Sequence, residues 1–274
     1  MIGTFIPSGD VPRTEAAGLD ELTWFKNDSD DRYRKDPHPV LKPGDVTYRF
    51  NAHGYRCDNF DTRRDLNVIF IGCSWIFGTG VPAESTSCAV FSRLLAGRTG
   101  KSVSAWNLGF PGKSNDYVSR VLLCAVPVLK PDVVVVNFTF SARREYIPID
   151  GPELNTLSSP ESLKQVEDLA RRDLYRHMFA LASEREDRMN LFKNYKLVEL
   201  LLTTQRVRWL YSGNVLHEFS AIEDHIDRAR FILPGLQLLD RGRDNSHPGI
   251  GSHLNFAEQA FQRFVELYAS DHPE

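Results

Sequence analysis

Three residues of this chain have the types and spacing for acyl-transfer chemistry: Ser74, Asp244 and His247. A serine hydroxyl is a poor nucleophile until a base takes its proton. Imidazole does that near neutral pH, and a carboxylate fixes its tautomer and stabilises its charged form. Asp244-Asn245-Ser246-His247 supplies the acid and the imidazole within one loop, followed by Pro248 and Gly249. Ser74 lies just past the apolar run Asn67-Val68-Ile69-Phe70-Ile71. The strand-end position is where open α/β sheets place their chemistry.

The elements that must position these residues are legible as alternating strands and helices. The run 67–72 reads as a buried parallel strand. A helix is expected near 85–97, where Ala89, Val90, Leu94 and Leu95 recur at helical spacing. Val103–Asn107 reads as a second strand. Residues 114–129 read as a helix, stopped by Pro131. Asp132–Phe138 contains four consecutive valines, which implies burial on both faces and a central parallel strand. Residues 158–205 read as helical and highly charged, with Ser159-Pro160-Glu161 as a helix start. Val207–Tyr211 reads as a weaker strand. A final helix is expected over about 253–268, with Leu254, Ala257, Phe261, Phe264 and Leu267 on one face. The order points to a doubly wound sheet joined by right-handed crossovers. Before it, residues 1–45 read as an irregular polar arm and Val46–Phe50 as a short strand, with a turn at Gly54.

Composition narrows the function classes. Basic and acidic residues number 33 and 36, so no broad field favours nucleic acid or an anionic membrane. No apolar run approaches the roughly 20 residues of a membrane span. The N-terminal stretch lacks a basic segment followed by a long apolar one, so no signal peptide is expected. The four cysteines, Cys57, Cys73, Cys88 and Cys124, contain no CxxC pair. Reduced thiols, a cytoplasmic location and no bound metal are the expectations.

These residues resemble the SGNH, or GDSL-type, hydrolase family. The family's first block, a strand followed by Gly-Asp-Ser and a downstream Gly, is matched by Gly72-Cys73-Ser74 with Gly78 and Gly80; Cys73 replaces the usual Asp. Its second block resembles Asn107-Leu108-Gly109-Phe110-Pro111-Gly112. Its last block, Asp-x-x-His before the final helix, is matched by Asp244 and His247, with His253 nearby. The third block departs: where the family carries Gly-x-Asn-Asp, this chain has Phe138-Thr139-Phe140-Ser141-Ala142-Arg143.

The resemblance implies a three-layer α/β/α fold, flavodoxin-like, with a mainly parallel five-stranded sheet. Residues 67–274 would form the hydrolase domain, with 150–235 a helical insertion or lid, and residues 1–66 an arm and short strand packed on it. It implies hydrolysis of a short-chain or sugar O-acetyl ester through an acyl-enzyme on Ser74. His247 would be the base and Asp244 its orienting carboxylate. The amides of Ser74 and Gly112, with the Ser141 hydroxyl, would hold the oxyanion. No cofactor is needed, and the partner is a small-molecule or carbohydrate ester. Arg143, Trp75 and Arg56 are the expected substrate contacts, with a structural role for Arg56 and a solvated pairing of Arg143 with Glu145 as the alternatives. Arg144 reads either as a second anion-binding residue or as a partner of Glu145.

Rival readings use the same residues. An O-acyltransferase would share the triad. The missing third-block Asn suits a catalytically inactive binding module. Gly112-Lys113-Ser114, between a strand and a helix, has the context of a phosphate-binding P-loop. The first glycine of that pattern is replaced by Asn107.

Overall fold

A computed structural model describes residues 10–146, 154–155, 163–164 and 166–268. In chain order the helices and strands are α1 (Asp30–Lys35), β1 (Leu66–Ile71), α2 (Ser74–Phe77), α3 (Ser87–Thr99), β2 (Val103–Asn107), α4 (Asn115–Leu129), β3 (Val133–Phe138), β4 (Glu145–Tyr146), β5 (Leu154–Asn155), α5 (Leu169–Leu181), α6 (Glu184–Thr204), β6 (Arg208–Gly213), α7 (Leu216–Ser220) and α8 (Ile250–Tyr268). The main sheet has the order β2-β1-β3-β6, and all three pairings are parallel. Where a fifth strand would lie, Phe231 adds a single parallel bridge beside Tyr211. Pro234 and Gly235 follow within a few residues, and Pro has no amide with which to extend the ladder.

The valine strand is central because side chains alternate across a sheet. Ile69, Ile71, Val134 and Val136 enter one core with residues of α4 and α6. Val68, Phe70, Val133 and Val135 enter the other with residues of α3 and α8. The result is a three-layer α/β/α fold with both sheet faces covered, as a parallel sheet requires. Two of the sheet-flanking helices start on side-chain caps: Thr86 accepts from Ala89 N before α3, and Ser114 from Tyr117 N before α4.

The arm joins the first of these cores. Phe25, Val46, Tyr48 and Tyr55 pack there with Phe77. The stretch 46–50 is not a strand. Tyr48 makes one isolated antiparallel bridge, to Leu22, and Thr47 gives its carbonyl to Arg56 instead of to a neighbouring strand. The proposed helix start Ser159-Pro160-Glu161 lies outside the described residues. From Asp168 onward the charged region is two helices, α5 and α6. Among the described residues no helix is long and apolar enough to cross a membrane.

Parallel pairing puts the carboxyl ends of β1, β2, β3 and β6 on one sheet edge. Ser74, Gly112, Ser141 and Asn214 all follow those ends.

Candidate active site

Ser74 opens α2, and the turn after it is tight. Gly78 adopts φ +76° as the helix C-cap, and the amides of Gly78 and Thr79 both donate to the Ser74 carbonyl at 3.2 Å. The Ser74 amide, in the first turn, has no intrahelical acceptor. Gly72 has no room for a side chain, since a Cβ would lie 2.8 Å from the Asn137 carbonyl.

The Asp244–His247 loop is closed on itself. Arg241 and Pro248 form an antiparallel bridge, and Gly242 N donates to His247 O at 2.9 Å. Asp240 anchors the loop to α8 by accepting the amides of Gly251 and Ser252, each at 2.8 Å.

Ser74 and His247, 173 positions apart, meet at this edge: Oγ lies 2.9 Å from His247 Nε2. His247 Nδ1 lies 2.6 Å from Asp244 Oδ2. Asp244 Oδ1 accepts the amides of Ser246 and His247 at 3.1 and 3.0 Å. Burial pushes the Asp244 carboxyl up, but the His247 hydrogen bond, the charge interaction with His247 and the two amides outweigh it. The net position is below the ordinary carboxylate value. An ionised carboxylate can only accept, so Nδ1 carries the proton and Nε2 is left to accept from the Ser74 hydroxyl. Ser74 and His247 are each 8 % exposed.

Gly112 has φ +77°, with nothing within 4 Å of a Cβ position. Its conformation is one that L side chains rarely adopt. Lys113 beside it is buried, its ammonium over the rings of Phe110 and Tyr117. A P-loop lysine would instead reach out to phosphate.

Other expected site residues are placed differently. Ser141 is turned to Glu218: its amide donates to Oε2 at 3.1 Å. Burial nonetheless leaves Glu218 above the ordinary value. Arg56 is no substrate contact. Its guanidinium is buried and donates to the carbonyls of Gly78 (2.7 Å), Thr47 (2.7 Å) and Val81 (2.8 Å). Burial pushes it down to about 10. Trp75 packs against the α3–α8 core while remaining partly exposed.

Arg143 stays near the site. It reaches the Lys113 carbonyl at 3.4 Å and Thr139 Oγ1 at 3.1 Å. Arg144 pairs with Asp187 at 2.7 Å. Glu145 pairs with Arg120 instead. His253 accepts from the Ser87 amide at 3.2 Å and lies 2.7 Å from its hydroxyl. Cys73 is buried and receives the Asn214 amide group at 3.3 Å.

Of the large apolar residues of the 150–235 region, Tyr175, Met178 and Phe179 line a cleft of about 260 Å³ beside Ala142 and Arg144. Tyr195 and Trp209 are core. Among the described residues, no group of three or more His, Cys, Asp or Glu side chains is placed to hold a metal ion.

Sequence reading missed Asp28, Tyr48, Arg243, Asn214 and Glu218. The one usable signal was Arg243, a cation directly before Asp244.

No protein-family model matches the chain, and no curated protein does. Solved structures do. A lipase from a goat-rumen metagenome is 14% identical over 72% of this chain and 97% of that one, with a TM-score of 0.46. TesA is 13% identical over 73% of this chain and 99% of that one, with a TM-score of 0.46. The psychrotrophic esterase EstA from Pseudoalteromonas sp. is 10% identical over 75% of this chain and 100% of that one, with a TM-score of 0.44.

Proposed function

We propose that the chain is a serine esterase that hydrolyses a carboxylic ester through an acyl-enzyme on Ser74. One observation carries this reading: the hydrogen-bonded series Asp244–His247–Ser74 at the carboxyl edge of the sheet. Hydroxyl, imidazole and ionised carboxylate stand in the order that nucleophilic catalysis needs.

Ser74 Oγ attacks the ester carbonyl carbon as His247 Nε2 takes its proton. The carbonyl oxygen becomes an oxyanion, held by the amides of Ser74 and Gly112. The intermediate collapses, the bond to the alcohol oxygen breaks, and His247 returns its proton to the departing alcohol. Water then attacks the acyl-enzyme, with His247 again accepting a proton and passing it to Ser74 Oγ. Asp244 holds the imidazole in the required tautomer and stabilises its charged form. Low exposure of Ser74 suits a small acyl group, and the reading extends to a sugar O-acetyl ester. The family's third-block Asn is absent at Ser141-Ala142, so the two backbone amides are the main oxyanion donors and a rate below that of a three-donor site is expected.

The test is hydrolysis of p-nitrophenyl acetate. Turnover by the wild type that is lost in Ser74→Ala and in His247→Ala supports the reading. Full activity in Ser74→Ala refutes it.

A further inference from the structure

The loop after Ser74 and the loop carrying Asp244 meet at Gly80. The Gly80 carbonyl accepts the Arg243 amide at 2.8 Å. The Gly80 amide donates to Tyr48 Oη at 2.8 Å. Tyr48 Oη donates to Asp28 Oδ2 at 2.5 Å. Asp28 in turn accepts from Arg243 Nη2 at 2.6 Å and from Nε at 3.1 and 3.2 Å. The ring closes through Arg243 itself. It ties three chain segments that are distant in sequence: the arm, the Ser74 loop and the Asp244 loop.

Every member of the ring is buried. Arg243 is 0 % exposed and Asp28 1 %. The guanidinium lies 4.0 Å over the Trp24 ring and donates to the carbonyls of Val46, Pro43 and Thr23. An arm could be attached by apolar contacts alone. Desolvating two charges offsets much of their attraction, so a buried ion pair adds little stability over a packed apolar one. Direction and register are what hydrogen-bonded charges add. The register here concerns reacting groups: Arg243 adjoins Asp244, and the turn from Ser74 to Gly80 is fixed by the Gly78 and Thr79 amides on Ser74 O.

We propose that Asp28, Tyr48 and Arg243 are positioning residues, and that the ring they close with Gly80 holds the Ser74 loop and the Asp244–His247 loop in hydrogen-bonding register. This rests on the reading of Ser74 as nucleophile. A misplacement of about 1 Å between reacting groups can cost on the order of 10²-fold in rate, so a slack ring lowers kcat without weakening substrate binding.

The experiment compares wild type with Tyr48→Phe, Arg243→Lys, Arg243→Met and Asp28→Asn. Tyr48→Phe removes one oxygen and keeps the packed ring. Melting temperature shows which variants are folded. Two readouts follow on those: kcat and KM on p-nitrophenyl acetate, and the far-downfield proton resonance of the His247 Nδ1–H bonded to Asp244. The expected result for folded Tyr48→Phe is kcat lower by about tenfold or more, KM changed less than about threefold, and a shifted or broadened resonance. Arg243→Lys, which keeps a charge for Asp28, retains more kcat than Arg243→Met. Wild-type kcat and an unmoved resonance in folded Tyr48→Phe overturn the proposal. A wild type with the resonance but no turnover refutes the esterase reading alone, and the resonance in the variants still judges the ring.

Discussion

Gly80 and Arg243 are in backbone contact. The Arg243 amide donates to the Gly80 carbonyl at 2.8 Å, and a methyl group on Gly80 would lie 2.7 Å from the Arg243 nitrogen. Gly242 makes the reciprocal approach, with a Cβ position 2.8 Å from the Thr79 carbonyl. Glycine on both sides lets the loops of the nucleophile and of its base touch main chain to main chain.

Gly80→Ala therefore destabilises the protein, because φ is +75° and the clash is with backbone. A loss of about 2–4 kcal/mol is expected. Gly112→Ala is the control. It also has positive φ but open space around the Cβ position, so it costs about 1 kcal/mol. Urea unfolding of the two variants checks the difference; equal losses contradict it.

Asp244→Asn keeps the shape of the site and removes the acceptor that selects the Nδ1–H tautomer. kcat falls by about 10³–10⁴-fold with little change in KM. Because the folded-state carboxyl lies below its ordinary value, Asp244 stabilises the fold in full above that ordinary value. The contribution is lost as pH falls through the folded-state value. The low-pH arm of the stability curve should consequently be shallower in Asp244→Asn, as measured by thermal melts against pH.

Ser141→Ala separates two roles for that residue. Loss of an oxyanion donor costs about 10²–10³-fold. The residue is tied to Glu218 through its amide, so kcat should change less than about threefold, a bound set well below that donor penalty. A loss of a hundredfold in steady-state kinetics would show that Ser141 turns to the substrate during reaction.

His253 produces a second pH effect, on stability. Burial pushes it down to about 3, with the Arg56 charge adding to the shift and Asp240 opposing it. The folded state keeps it neutral while the unfolded chain protonates it near pH 6.5. Its contribution is fully present above pH 6.5 and declines as pH falls toward about 3, by about 1.4 kcal/mol per pH unit. His253→Asn retains an acceptor for Ser87 and should lose this slope. Urea midpoints at pH 4.5, 5.5 and 6.5 test it, and a slope identical to wild type contradicts it.

The four strands of the main sheet and the site's first three residues were legible because each follows from a local pattern, whereas 46–50 was read as a strand and is not one. The valine run marked β3, helical spacing over 85–97 marked α3, and the Asp-x-x-His spacing lies within one loop. The structural partners of Arg56, the carbonyls of Gly78 and Val81, were not legible because they come from a turn whose path is set only by the fold. The contact of Ser141 with Glu218 was hidden for the same reason: Glu218 arrives from beyond β6. The pairing of Arg144 with Asp187 rather than Glu145 depends on where α6 docks. Asp28 lies 215 positions from Arg243, and no periodicity links them.

The central claim is a covalent bond to one oxygen. Acid-quenching the protein during turnover of p-nitrophenyl acetate, followed by peptide mass spectrometry, looks for it directly. An acetyl group on Ser74, present in the wild type, increased in a variant with slowed deacylation and absent from Ser74→Ala, is the expected result. Sustained ester hydrolysis with the acyl group on another residue, or undiminished in Ser74→Ala, would contradict it.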